Sequence, residues 1–195
     1  MKVRRFREQV YWGRPVPGWG DPKARLLIVG LAPAAHGGNR TGRIFTGDRS
    51  GDFLVAGLHR AGFANQPTSI ARGDGLELHD CYVAAVARCA PPANKPLPDE
   101  IGRCREYLVR EWHLLRPRAV LVLGRIALDG LVAMLRSIGR LPPRRALAFG
   151  HGVEHELGDG VRLFGCFHPS QQNTFTGKLT AADLDAVLSR VRAYL

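Results

Sequence analysis

The sequence predicts an α/β fold, a three-layer α/β/α sandwich around a central four-stranded parallel sheet. Four short apolar runs recur along the chain, and apolar residues at helical spacing stand between them. Strands that alternate with helices in this way build a parallel sheet with helices on both faces. The chain has 195 residues, enough for one domain with a buried core. We therefore expect a single domain over residues 26–195, with an extended lead-in over residues 1–25 packed on it.

The first strand is the run Leu26-Leu27-Ile28-Val29-Gly30, five residues that suit a strand buried on both faces. A long loop rich in glycine and polar residues follows it. Beyond the loop, the apolar residues of 51–62 recur at helical spacing and predict the first crossover helix.

Two further strands and two helices follow in the same alternation. Residues 80–87 predict the second strand, which leads into a proline-rich loop over 88–98. Asp99 is the expected N-cap of the next helix. Residues 118–124 predict the third strand, and residues 125–135 the helix after it.

The last part of the chain contains one ambiguous stretch and one clear strand. Residues 144–160 indicate only a loop or a short edge element. Residues 161–167 predict the fourth strand, and the loop after it begins at His168. Thr180 is the expected N-cap of a terminal helix, whose apolar face lies at helical spacing.

The composition limits the classes of partner. Lysine and arginine number 28 against 17 acidic residues, a net charge of +11. Such a surface attracts polyanions, of which nucleic acid is the commonest, although a basic surface that binds nothing has the same composition. No apolar run of about 18 residues predicts a membrane span. With four cysteines in the chain, we expect reduced thiols and a cytoplasmic, nucleoid-associated protein.

Three polar loops leave the carboxyl ends of predicted parallel strands. The first contains Asp48, the second Asn94, and the third begins at His168. Open α/β proteins bind their ligands at this edge of the sheet. We therefore expect one site where the three loops meet.

The motifs in these loops resemble the uracil-DNA glycosylase superfamily, and within it the B-type enzymes called family 5. The first motif is Gly30-Leu31-Ala32-Pro33-Ala34-Ala35-His36-Gly37 with Arg43-Ile44-Phe45-Thr46-Gly47-Asp48. The second is His168-Pro169-Ser170-Gln171-Gln172-Asn173 with Thr176-Gly177-Lys178-Leu179-Thr180, and Arg88-Cys89-Ala90-Pro91-Pro92 with Asn94-Lys95-Pro96 stands between them. The resemblance implies a monomeric DNA-repair hydrolase that excises uracil from double- or single-stranded DNA.

Each implied catalytic residue also has a structural reading. The resemblance makes Asp48 the carboxylate beside the sugar, whereas its position before a helix also suits an N-cap. It makes His168 a donor to the departing base and Phe45 the stacking aromatic, although either could be a core residue. Asn94 is the implied contact to the base or the attacking water, and it could equally be a turn residue.

The resemblance further assigns residues to binding of the base and the DNA backbone. In the first loop these are Gly30, Ala32, His36, Asn39 and Arg43. In the third loop they are Gln172, Asn173 and Lys178, which suit a loop that enters the groove.

One position bears on which bases are accepted. Uracil-specific relatives have an asparagine at the end of the second strand, where this chain has Ala85. Loss of a bidentate reader of the pyrimidine edge relaxes selectivity. We therefore expect a range that extends beyond uracil to hypoxanthine, xanthine or etheno-cytosine.

The cysteines raise the question of a cofactor. The resemblance implies a 4Fe-4S cluster held by four cysteines, of which Cys89 and Cys104 match two. The pair that precedes the Trp12-Gly13-Arg14-Pro15 segment in relatives has no counterpart here. Either the chain begins late or it is a member without a cluster. Cys81 and Cys166 fall in predicted strands and are expected to be core residues.

Two other functions compete with catalysis. A degenerate DNA-binding member of the fold would share the basic surface, but here Phe45, Asp48 and His168 are all retained. A nucleotide-phosphate binder would need a glycine motif after the first strand, and neither common form of that motif is present.

Overall fold

The computed structural model describes residues 2–195, which form a six-stranded sheet between two layers of helices. The strand order is β1-β3-β2-β4-β6-β5. The strands are β1 (Trp19–Gly20), β2 (Leu26–Gly30), β3 (Cys81–Ala85), β4 (Ala119–Leu123), β5 (Glu154–Gly158) and β6 (Val161–Cys166). Strands β3, β2, β4 and β6 are mutually parallel, which confirms the predicted four-stranded parallel core.

Six α-helices accompany the sheet in the described residues. They are α1 (Gly38–Thr41), α2 (Arg49–Arg60), α3 (Pro98–Leu115), α4 (Arg125–Ser137), α5 (Gln171–Phe175) and α6 (Ala181–Tyr194). In β2, Leu26 and Ile28 face the core under α2 and α6, whereas Leu27 and Val29 face the core under α3 and α4. Because successive strand residues point to opposite faces, one apolar run supplies both cores.

The two edge strands enlarge the sheet beyond the predicted four. Strand β1 lies in the lead-in and pairs antiparallel with β3, Trp19 beside Val83. A Cβ on Gly20 would lie 2.4 Å from the carbonyl oxygen of Cys81, so glycine permits this close pairing. Strand β5 pairs antiparallel with β6, and Leu157 is its one buried residue. Strand β5 lies within residues 144–160, where a loop or a short edge element was expected. Strand β1 was not predicted, because two residues carry no apolar pattern.

Of the two helix starts predicted from an N-cap residue, one is confirmed and one is shifted. Thr180 caps α6 as predicted, and its backbone N–H donates to the carboxylate of Asp183. Helix α3 begins earlier than predicted: Leu97 is its N-cap residue, and the Leu97 N–H donates to Glu100. Asp99 therefore lies within the first turn, where its negative charge is stabilised by the positive end of the helix dipole.

The connections place the carboxyl ends of β2 and β4 at a reversal of strand order. From β2 the chain proceeds to β3 on one side, and from β4 it proceeds to β6 on the other. A crevice forms outside such a reversal. Among residues 2–195, no helix combines the length and apolar character needed to cross a bilayer.

Candidate active site at the carboxyl ends of the strands

A cavity of about 450 Å³ lies in this crevice between the loops that follow β2, β3 and β6. Its walls bring together Asp48, Asn94 and His168, the three side chains expected to carry chemistry. The other lining residues are Leu31, Ala32, Ala34, Arg49, Ser50, Ser170, Gln171 and Gln172. Of the residues predicted to bind the base or DNA, Ala32 and Gln172 therefore line this cavity.

The carboxylate of Asp48 is fixed by the start of a helix. Oδ1 accepts from the N–H of Gly51 at 2.9 Å, so Asp48 is both the N-cap of α2 and a cavity residue. Burial raises the pKa of Asp48, Asp52 adds to that rise, and the Gly51 hydrogen bond opposes it. The start of α2 thus orients a half-buried carboxylate at the cavity.

The imidazole of His168 is neutral at physiological pH. Burial lowers the pKa of His168 to about 4. The backbone around it is held by the Asn173 side-chain amide, which donates to the carbonyl of His168 at 2.8 Å. A neutral imidazole retains one N–H, so His168 can donate a hydrogen bond without carrying a charge.

Phe45 lies beside His168 but is not in the cavity wall. The two ring centroids are 6.0 Å apart with an interplanar angle of 36°. Phe45 is 8% exposed and has a φ of 54°, an unusual conformation for an aromatic residue. A Cβ on Gly30 would lie 2.9 Å from the Phe45 ring, so Gly30 makes room for the ring. Such strained backbone commonly occurs at functional sites.

Asn94 reaches the cavity from a short 3-10 turn over Pro92–Asn94. Its φ is 55°, and asparagine adopts this left-handed conformation more readily than most residues. The residue is exposed, and its backbone N–H donates to the carbonyl of Pro91. The amide can therefore contact a molecule in the cavity from the solvent side.

Arg43 does not face the cavity. It is 6% exposed, and its guanidinium donates to Thr46 and to both oxygens of Asp74 at 2.8 and 2.9 Å. The ring of Trp19 lies 4.7 Å from the same group. The structure therefore places this arginine as an internal brace of the first loop, where sequence reasoning expected it to line the pocket or contact phosphate.

His36 and Asn39 also make contacts within the protein. The hydroxyl of Tyr11 lies 2.9 Å from Nδ1 of His36, and the Asn39 side-chain amide donates to the carbonyl of Ala35 at 3.4 Å. Neither residue lines the cavity, although both are only half-buried. Asn173 and Lys178 line a separate neighbouring cavity.

Sequence reasoning missed two other features of this site. Arg49 lies in the wall directly after Asp48 and stands 5.3 Å from the ring of Phe175, which is 66% exposed. Arg40 ties the first loop together by donating to the carbonyls of His36 and Gly47. Arg49 could have been found from the sequence, because it directly follows a predicted catalytic acid. The contacts of Arg40 could not, because they form only in the folded loop.

The two cysteines predicted to be cluster ligands lie at one cavity. Cys89 and Cys104 both line a cavity of about 290 Å³, and the Arg88 N–H donates to Sγ of Cys104 at 3.4 Å. Burial, with the neighbouring Cys104, raises the pKa of Cys89. Within residues 2–195 no three metal-ligating side chains come together, and a cluster normally needs four cysteines.

The other two cysteines are core residues, as predicted. Cys81 and Cys166 are both fully buried, in β3 and β6. Burial raises the pKa of both thiols, that of Cys166 to about 12. Protonated, inaccessible thiols of this kind act as small apolar side chains.

Comparison with known proteins gives a consistent family. The model of the Uracil DNA glycosylase superfamily matches residues 17–192. A Type-5 uracil-DNA glycosylase of Mycobacterium tuberculosis is 53% identical over 98% of this chain and 71% of its own length. The Type-5 uracil-DNA glycosylase of Thermus thermophilus is 49% identical over 92% of this chain and 80% of its own length. The Type-5 uracil-DNA glycosylase of Pyrobaculum aerophilum is 46% identical over 98% of this chain and 81% of its own length. The chain therefore belongs to the uracil-DNA glycosylase superfamily, and within it to the type-5 family.

Proposed function

We propose that this protein is a DNA glycosylase that hydrolyses the N-glycosidic bond of uracil in DNA. The observation that carries the proposal is the cavity that unites Asp48, Asn94 and His168 at the carboxyl ends of the sheet. The names of the type-5 relatives and the net charge of +11 support the same substrate. A basic surface binds the phosphate backbone with little regard to sequence.

The base must leave the duplex before it can enter the cavity. Enzymes that act on a base extrude its nucleotide and offset the lost stacking with protein contacts. Phe175, exposed on α5 at the rim with Arg49 above its ring, has the character of an apolar wedge next to a phosphate contact. Gln172, in the same helix, lines the cavity and would enter the DNA together with Phe175.

Cleavage breaks the bond between C1′ and the base nitrogen, with the bonding electrons leaving on the base. The sugar then develops oxocarbenium character, a water molecule adds to C1′, and the proton that this water loses neutralises the departed base by way of solvent. A carboxylate in a poorly hydrated place stabilises that cation and accepts a hydrogen bond from the incoming water. Asp48 fits this role in its ionised form because the N–H of Gly51 orients its carboxylate and the residue lines the cavity.

The departing base carries the negative charge. A hydrogen-bond donor near its carbonyl oxygen stabilises that charge in the transition state. His168 is suited to donate because its lowered pKa keeps the imidazole neutral and because it lines the same cavity as Asp48. Asn94 supplies an amide that can contact the base edge or the water.

The test is the release of free uracil from a uracil-containing oligonucleotide. Asp48→Asn keeps the size and the helix cap but removes the negative charge, and we expect at least a 100-fold lower rate, the order of effect seen when transition-state stabilisation is lost. Asp185→Asn is the matched control, since Asp185 is an exposed carboxylate of α6 paired with Arg60. Wild-type protein that binds DNA yet releases no base would identify a non-catalytic member of the fold.

We further propose that the range of bases extends beyond uracil. Ala85 is fully buried at the end of β3 opposite Gly30, so this strand places no amide against the base. Polar contacts to the base then come from the loops. The proposal predicts measurable release of hypoxanthine from matched oligonucleotides, and strict dependence on uracil would contradict it.

We also propose Cys89 and Cys104 as two of the ligands of an iron-sulfur cluster. Their support is the shared cavity, which also contacts Pro15 of the lead-in. Iron and sulfide content, with the visible absorbance of the purified protein, tests the proposal in wild type and in Cys89→Ser. Protein with full activity and no iron in either form would show that the cysteines are free thiols.

A further inference from the structure

A second cavity, of about 420 Å³, lies against the first. His168 and Leu31 are part of both walls, so the two cavities are neighbours on either side of these residues. The second cavity is also lined by Leu123, Gly124, Arg125, Ile126, Ala127, Phe149, Phe167, Asn173 and Lys178. The proposed chemistry makes no use of the residues that belong to this cavity alone.

The second cavity presents an aromatic and apolar surface to solvent. The rings of Phe149 and Phe167 are half-buried, with centroids 6.2 Å apart. Ile126, near the start of α4, is 46% exposed. The planes of the two rings are inclined at 51°, and the His151 ring packs against Phe167 with centroids 5.2 Å apart, so a planar ligand would stack on one phenyl ring and meet the other at its edge. Such stacking depends little on the ligand's polar groups.

Two cationic side chains line this cavity, and Lys178 is the one placed over an aromatic ring. Nζ of Lys178 lies 4.9 Å from the centre of the Phe167 ring, whereas Arg125, exposed at the start of α4, pairs with Asp129 at 2.8 Å. No acidic side chain is among the described residues that line this cavity. Apolar rings beside cations match the two parts of a nucleotide, a base and a phosphate.

We propose that the second cavity binds the nucleobase next to the extruded one on the same DNA strand, with its phosphate near Lys178. This proposal rests on the proposed glycosylase function. The shared wall at His168 and Leu31 puts the two bases in adjoining cavities, as a single phosphodiester link between them requires. Extrusion of one base removes a stacking partner from its neighbour, and the Phe149–Phe167 surface replaces that partner.

The test combines a change in the protein with a change in the DNA. The substrates carry uracil flanked on one side by a normal nucleotide or by an abasic tetrahydrofuran spacer. The variants are Phe149→Leu and Phe167→Leu, which keep apolar volume and remove the aromatic face. Leu114→Ser is the control, since Leu114 is 81% exposed on α3 and lies outside both cavities.

We expect the spacer on one side to lower kcat/KM of wild-type protein about tenfold, the loss expected for one base-aromatic stack. The kcat/KM of each Phe→Leu variant on the normal substrate should be about tenfold below that of wild type, and the spacer should lower it little further. Leu114→Ser should behave as wild type on both substrates. The pattern should persist on single-stranded DNA, because the occupant belongs to the same strand. Thermal melting of each variant separates a binding effect from loss of fold.

Three results would overturn the proposal. The spacer could cost wild type and both variants the same factor, the spacer could have no effect on either side, or the coupling could exist in duplex and vanish in single strands. The last result would assign the surface to a base of the opposite strand. None of them affects the proposed function, which fails separately if wild-type protein releases no uracil from the unmodified substrate.

Discussion

A Cβ atom on Gly37 would lie 1.8 Å from Oδ2 of Asp48. The glycine therefore leaves the space that the carboxylate occupies. Its neighbour Gly38 begins α1, a single turn in the loop that sequence analysis treated as irregular. The first loop thus folds back on the start of α2 and encloses its catalytic candidate on one side.

The first prediction follows from this contact. Gly37→Ala must displace the Asp48 side chain, so we expect about a 100-fold loss of uracil release, comparable with removal of a well-placed transition-state contact. Gly102→Ala is the control, because a Cβ there would meet nothing within 4 Å beyond the backbone of its own helix, and the position is a helix interior. It should leave activity unchanged and raise stability by about 0.5–1 kcal/mol. Equal activity of the two variants would contradict the prediction.

The second prediction separates the two roles of Asp48. Asp48→Asn retains a good N-cap and relieves a buried charge, so we expect unchanged or higher thermal stability with lost activity. Asp48→Ala should lose activity equally and also about 1 kcal/mol of stability, the usual cost of a missing cap. Base release and thermal unfolding of both variants provide the check, and similar melting temperatures for the two would exclude the capping role.

A third prediction concerns the pH dependence of the rate. Because burial raises the pKa of Asp48, the ionised form is lost at a higher pH than for an ordinary aspartate. The rate should therefore fall on the acid side earlier than an exposed carboxylate would allow. Asp52→Asn removes a charge that helps to raise the pKa of Asp48, so it should move the acid limb of kcat/KM to lower pH. A limb that stays in place in Asp52→Asn would rule out Asp48 as the titrating group.

The fourth prediction concerns stability and His168. Its pKa is lowered to about 4 in the folded protein from an ordinary value of 6.5. Between these values the unfolded chain binds a proton that the folded protein does not, so stability is lost as pH falls from 6.5 toward 4. Chemical denaturation of wild type and His168→Gln across this window tests it. The difference in unfolding free energy between the two should change with pH in the window and be constant above it.

The fifth prediction tests the internal brace of the first loop. Arg43→Met removes the side-chain partner of the Asp74 carboxylate, which still accepts from the backbone N–H groups of Ile70, Ala71 and Leu76. We therefore expect the free energy of unfolding to fall by about 1.5–3 kcal/mol, the usual contribution of hydrogen bonds to a charged group. Arg110→Met is the control, since its pair with Glu106 is exposed, and should cost at most about 0.5 kcal/mol. Urea denaturation measures both. A small effect of Arg43→Met, with reduced DNA affinity instead, would return Arg43 to the phosphate role first expected of it.

The elements that sequence analysis predicted well are those whose signals are local. The parallel strands were visible as apolar runs because both faces of each are buried, and Thr180 was visible as a cap because its partner Asp183 is in the next turn. Strand β1 was not visible, because a Trp-Gly pair has no period and becomes a strand only beside β3. The start of α3 was misplaced because its N-cap residue, Leu97, has no capping side chain. The cap hydrogen bond runs instead from the Leu97 backbone N–H to the Glu100 carboxylate.

The sequence by itself determined the α/β class, the four parallel strands and the loops whose residues meet at one edge, since apolar periodicity and chain direction are properties of neighbouring residues. The tertiary structure decided which side chains of those loops reach the cavity. Arg43 turns inward to Asp74, and His36 meets Tyr11, because each partner is distant in the chain and adjacent only after folding. Burial of Asp48 and His168, which moves both pKa values, likewise exists only once the three loops enclose them.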